Sequence, residues 1–218
     1  IEDWNRIISL LLPTESIFQK AGGEGLATTE LQEGGLLLAE ALLEQRDAEA
    51  AMVWVKRLPR VMAPERNWRR QLLQARIEME SGQSTAAFAT LAALKRELTE
   101  RKAPLRLHAR ADRVHATLLQ VDGQWEQAAK IYRQKAADKQ RAPAMRIQSV
   151  LNAVRLYQRA GKLGLAREIL REVVADSSLK GLHATSYCLQ GELELASGGD
   201  AAVAQEFFCK AFSISFSD

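Results

Sequence analysis

The sequence predicts an all-helical chain, a solenoid of about five antiparallel helix pairs. Three observations carry this. The stretch Gly123 to Tyr132, GQWEQAAKIY, reads as a glycine ending one helix and a second helix starting at once, with an alanine one turn in and an aromatic four residues later. That alanine recurs as Ala51, Ala87, Ala128, Ala166 and Ala204, at intervals of 36, 41, 38 and 38 residues. Pro64, Pro104 and Pro143 repeat independently at 40 and 39. A self-similar period of this size is the mark of stacked helical hairpins, each too small to bury its own apolar face.

Composition agrees. Apolar residues make up 47% of the 218, enough for a continuous core, while aromatics are 6%. An alanine-rich, aromatic-poor chain favours close helix packing over a β core, and alternating strand patterns are missing. The longest apolar run is far short of a membrane span, and no secretory leader is readable. Cys188 and Cys209 make no disulfide framework, which points to a reducing, cytoplasmic setting and buried free thiols. Net charge is +3 but unevenly spread, with −4 over 1–60, +11 over 61–180 and −4 over 181–218. A basic centre of this kind attracts acidic partners.

Taken in order, residues 1–28 read as a helical lead-in and a glycine-rich loop. Trp4, Ile7, Ile8, Leu11, Ile17 and Phe18 give the lead-in its apolar face. Pro13 breaks or kinks it, and Gly22, Gly23 and Gly25 form the loop. No strand precedes that loop and no Lys-Ser/Thr follows, so it lacks the context of a phosphate loop. Five repeats then occupy about 29–66, 67–104, 105–143, 144–181 and 182–218. In repeat one Thr29 and Gln32 make a capping box, Asp47 caps the second helix, and Pro64 closes the unit. Repeat two turns at Gly82 and restarts behind a Ser84 cap. Repeats three and four turn at Gly123 and Gly161. Repeat five turns at Gly198-Gly199 and is capped by Asp200.

With alanine and a large residue one turn on five times over, and a glycine turn before it in repeats two to five, the chain resembles the tetratricopeptide (TPR) repeat family over about residues 29–215. It is a long-repeat variant, several residues over the usual 34 or so. The Leu-Gly pair of the family's first helix is replaced by Leu38-Ala39, Gln74-Ala75, His115-Ala116 and Ala153-Val154, and only Gly191 keeps the glycine. The resemblance implies a right-handed superhelix whose first helices line a concave groove. It places Glu33, Glu40 and Glu44 of repeat one in that groove, with Arg69 and Arg76 of repeat two, Arg110 and Arg113 of repeat three, and Arg155 and Arg159 of repeat four. Leu36, Leu43 and Leu72 fall among the same groove positions. Leu72, Arg76 and Val114 stand where a chaperone-tail clamp would need Lys and Asn, so that clamp is not implied.

Arginine suits two-pronged contact with carboxylate or phosphate. The expected function is therefore a non-enzymatic protein–protein interaction scaffold, taking an acidic or mixed-charge peptide or protein on its concave face. The alternative is a sensory or regulatory arm of a larger signalling or transcription-regulating protein. Nucleic-acid binding ranks below both, because Trp68, Trp125, Tyr132 and Tyr157 read as packing residues rather than base-stacking platforms. No catalytic residue, cofactor or metal is expected. His108 and His115 share a helix face but lack a third ligand, and no nucleotide loop, nucleophile elbow or kinase signature is present. The last helix carries Val203, Phe207, Phe208, Ala211 and Phe212, and the chain stops soon after. An excised start at Ile1 and a cut array are expected, with a homodimer through Phe208 and Phe212, or a tail folded back on its own face, as the rival accounts.

Overall fold

The computed structural model describes residues 3–13, 28–59 and 61–215. Among these residues the regular structure is entirely helical, with no strand. The helices are α1 (Trp4–Leu11), α2 (Thr29–Glu44), α3 (Ala48–Arg57), α4 (Pro64–Glu80), α5 (Ser84–Glu100) and α6 (Leu105–Val121). They continue with α7 (Trp125–Ala137), α8 (Pro143–Arg159), α9 (Leu163–Ala175), α10 (His183–Ala196) and α11 (Ala201–Ser215). A short 3-10 turn, Ser177–Leu182, joins α9 to α10. The chain divides into two compact units, Ile1–Leu118 and Leu119–Asp218, with the boundary inside α6. The lead-in helix stops at Leu11, before Pro13. Ile17, Phe18 and the three loop glycines lie outside the described residues.

One hairpin design recurs five times. Helices α2, α4, α6, α8 and α10 each stop two residues before a left-handed residue, at Arg46 (φ 67°), Gly82 (φ 75°), Gly123 (φ 74°), Gly161 (φ 69°) and Gly198 (φ 70°). In every case the N–H after that residue bonds five residues back, as in Asp47 to the Leu42 carbonyl and Gln83 to that of Glu78. Gln124 to Leu119, Lys162 to Tyr157 and Gly199 to Glu194 complete the set. This is the Schellman closure, which satisfies carbonyls the helix end leaves bare. The next helix then starts, and the recurring alanine is always its fourth residue. Ala51, Ala87, Ala128, Ala166 and Ala204 are all buried, none more than 1% exposed. Residues twelve earlier in the first four hairpins, Ala39, Ala75, Ala116 and Val154, are fully buried as well. In the fifth hairpin that place falls to Gly191, where an added Cβ would come within 2.7 Å of the Phe208 ring.

In the first unit, α1 packs on α2, α2 on α3 and α4, and α4 on α5. One apolar cluster joins Leu36, Leu38, Leu42 and Leu43 of α2 to Trp54 and Val55 of α3 and Leu73 and Ile77 of α4, with Ile8 and Leu11 of α1 against it. A second joins Trp68, Leu72 and Ala75 of α4 to Leu91, Leu94 and Leu98 of α5 and Leu107, Ala111 and Leu118 of α6. Each such leucine, fully buried, is worth about 1.5–3 kcal/mol relative to exposure. In the second unit α7 packs on α8, α8 on α9, α9 on α10 and α10 on α11.

Several local expectations need correction. Thr28, not Thr29, caps α2, its hydroxyl accepting from the Leu31 N–H at 3.4 Å. Gln83 sits at the cap of α5, Ser84 is already helical, and no side chain caps that end. Pro64 and Pro143 do not close units. Each is the first residue of a helix, where a missing N–H costs nothing because that N–H would have no helical partner. Asp47 and Asp200 do cap, accepting from Ala50 at 2.9 Å and Ala202 at 2.8 Å.

Candidate interaction face

In the first unit, the predicted glutamates and two of the predicted arginines come together. Arg69 of α4 spans two carboxylates of α2. Its Nη1 donates to Glu33 at 2.9 Å, and its Nε and Nη2 donate to the two oxygens of Glu40 at 2.9 and 2.6 Å. Arg76 donates to Glu44 at 2.7 Å. All but the exposed Glu44 are partly buried, and the fork on Glu40 is the strong, two-pronged form of an ion pair. Expected to face a ligand together, the two rows instead hold one another across neighbouring helices.

Arg110 and Arg113 of α6 differ. Both are exposed, three residues apart on one helix face, and neither is in an ion pair among the described residues. Of the other positions assigned to the same groove, Leu36, Leu43 and Leu72 are buried in the apolar clusters, so they line no groove. His115 of α6 is half-buried, edge-on to Phe88 of α5, with Nδ1 3.5 Å from the Lys95 Nζ. Lys95 also pairs with Asp112 at 2.9 Å. Burial pushes the His115 imidazole below its ordinary pKa, Lys95 adds to that, and Asp112 opposes it. A neutral ring facing an ammonium is a packing arrangement. Among the described residues no group of three His, Cys, Asp or Glu side chains is placed to hold a metal ion.

In the second unit Arg155 is exposed and in no ion pair among the described residues, while the Arg159 guanidinium lies over the Trp125 ring, 5.2 Å from its centroid. Phe208 and Phe212 of α11 are 37% and 66% exposed. Phe207, immediately before Phe208 in sequence, is half-buried and stacked on Tyr187 of α10. Cys188 is half-buried and Cys209 exposed, so the expectation of two buried thiols holds for neither in full.

One polar centre went unforeseen. Arg146 of α8 is buried and donates to the Ala136 carbonyl at 2.8 Å, the Ser178 hydroxyl at 2.8 Å and the Asp176 carboxylate at 2.7 Å. It ties the end of α7 to the 3-10 turn after α9. The hydrogen bonds from Ser178, followed by Arg146, hold the Asp176 carboxyl well below the usual carboxylate range. The sequence carried a signal for it, because Arg146 lies four and seven residues before the buried Val150 and Ala153, on the apolar stripe. Arg133 of α7 similarly bridges Glu168 and Glu172 of α9, both at 2.7 Å. Compared with known proteins, the chain matches no family model, no curated protein and no solved structure.

Proposed function

We propose that the chain is a TPR-like solenoid of five antiparallel helix pairs, a right-handed superhelix, that works in the cytoplasm as a non-enzymatic interaction scaffold. Its partner is an acidic or mixed-charge protein segment held on the face of the first helices. The observation that carries this reading is the fivefold hairpin register, with the same left-handed closure and the same buried alanine each time. A chain that spends its length on one repeated hairpin builds extended surface rather than an enclosed pocket. The exposed arginines of α6 and α8 supply the charge. Capture of a partner by the intact chain, compared with an Arg110→Glu/Arg113→Glu variant and an Arg155→Glu/Arg159→Glu variant, tests it. Helicity by circular dichroism should be unchanged and capture lost in at least one variant. Capture retained in both removes the first-helix face from the account.

A second contact is favoured by the eighth residue of each second helix. Val55, Leu91 and Leu170 are buried there and Tyr132 is half-buried, whereas Phe208 is exposed, so two copies associate through α11.

A further inference from the structure

The charge pattern of the first unit leaves one step unbalanced. On passing from α2 to α4, arginines meet acids: Arg69, eighteen residues before Ala87, reaches Glu33 and Glu40, which stand eighteen and eleven before Ala51. Passing from α4 to α6 starts in the same register, since Arg106 and Glu65, each twenty-two residues before its alanine, form an ion pair. Beyond that pair the places of Glu33 and Glu40 carry no acid on α4, although Glu80 keeps the place of Glu44. Arg110 of α6 holds the place that Arg69 holds in α4, and the places on α4 that correspond to Glu33 and Glu40 are occupied by Arg69 and Arg76. Both of those are already committed to α2. The repeated register therefore sets arginine beside arginine where the preceding step sets arginine beside glutamate. Such a local conflict in an otherwise consistent fold is characteristic of a functional surface.

We infer that Arg110 and Arg113 are the docking point for carboxylate side chains of an acidic peptide segment, which fills for Arg110 the part that the α2 glutamates play for Arg69, while Arg113, exposed one turn on, adds a second guanidinium. This deepens the scaffold reading and rests on it. Two guanidinium forks on one helix face suit carboxylates taken two-pronged. Peptide carboxylates fit better than the phosphates of a single nucleic-acid strand, because three described rings of this unit are taken up by packing. Trp54 and Trp68 are buried, and Phe88 is packed against His115.

The test is fluorescence anisotropy of a labelled oligoglutamate peptide titrated with the intact chain at low salt. Wild type should bind, and Arg110→Glu/Arg113→Glu should weaken binding by about tenfold or more. Arg110→Lys/Arg113→Lys, which keeps charge but not the fork, should weaken it by about threefold and serves if the glutamate variant misfolds. Arg96→Glu/Arg171→Glu makes the same charge change at exposed arginines of α5 and α9 and should leave binding within about twofold. Equal weakening in that control, no binding by wild type, or displacement by oligothymidylate at the concentration at which unlabelled oligoglutamate displaces it overturns the assignment. If partner capture is lost only in the Arg155→Glu/Arg159→Glu variant, the scaffold reading survives and this one fails.

Discussion

Arg46 occupies a backbone conformation that the other four hairpins give to glycine. A side chain there costs about 1–2 kcal/mol because Cβ crowds the following carbonyl. Its one ion pair, with Glu80 at 3.9 Å, involves a side chain 87% exposed and offsets almost none of that. Arg46→Gly should therefore raise stability by about 0.5–1 kcal/mol after the added freedom of the unfolded chain is deducted, read as a higher urea midpoint. His115 supplies a pH effect. Its folded-state pKa is lowered, so on acidification the unfolded chain takes up that proton first. The contribution is constant above the ordinary imidazole pKa of 6.5 and falls as pH drops below it towards the folded-state value. Unfolding midpoints compared at about pH 7.5 and about pH 5.5 should show a smaller decline in His115→Gln than in wild type. At this scale the sequence showed residue types but not pairings. Glu40 and Arg69 were both assigned to one face, yet nothing in one dimension says that the fork of one reaches the carboxylate of the other.

Helices were the most legible level, because each is set by signals a few residues apart. Glycine ends a helix, a small residue sits one turn into the next, and these recur at fixed offset. Among the first helices of the hairpins, α4, α6 and α8 are each 17 residues long. Much of the variation in alanine spacing comes from the second helices, of 10 residues in α3, 17 in α5 and 13 in both α7 and α9. Proline misled, because the same residue fits just past one helix and at the first position of the next. Alanine at the fourth position is a packing requirement, which Ala128→Leu tests. The site is fully buried, so added bulk should cost about 1–3 kcal/mol by overpacking and lower the melting temperature. Unchanged melting would mean that the buried register of α7 is misassigned.

Over the whole molecule, the repeat period passes through residues 118 and 119 with no mark in the sequence, yet the two compact units divide there. The period is set by local turns, whereas the division reflects how tertiary contacts are distributed along the chain, which local signals do not encode. The same distinction bears on the fifth hairpin. Position eight of the second helix is filled by an apolar residue in hairpins one, two, four and five, and burial there is lost in the fifth. The Phe208 ring keeps part of its contact by lying over Gly191, while Phe212, one turn on, is 66% exposed. Large apolar groups that stay partly exposed favour association, each gaining a part of the roughly 1.5–3 kcal/mol that full burial is worth. Sedimentation of the wild-type chain should show mass rising with concentration, and Phe212→Asp should suppress the rise without changing helicity. The double variant Phe208→Asp/Phe212→Asp should abolish the rise, at some loss of stability from the Gly191 contact. A wild-type chain that stays monomeric at the highest concentration reached would show that α11 does not pair copies, and an unaltered rise in the double variant would place the association on another surface.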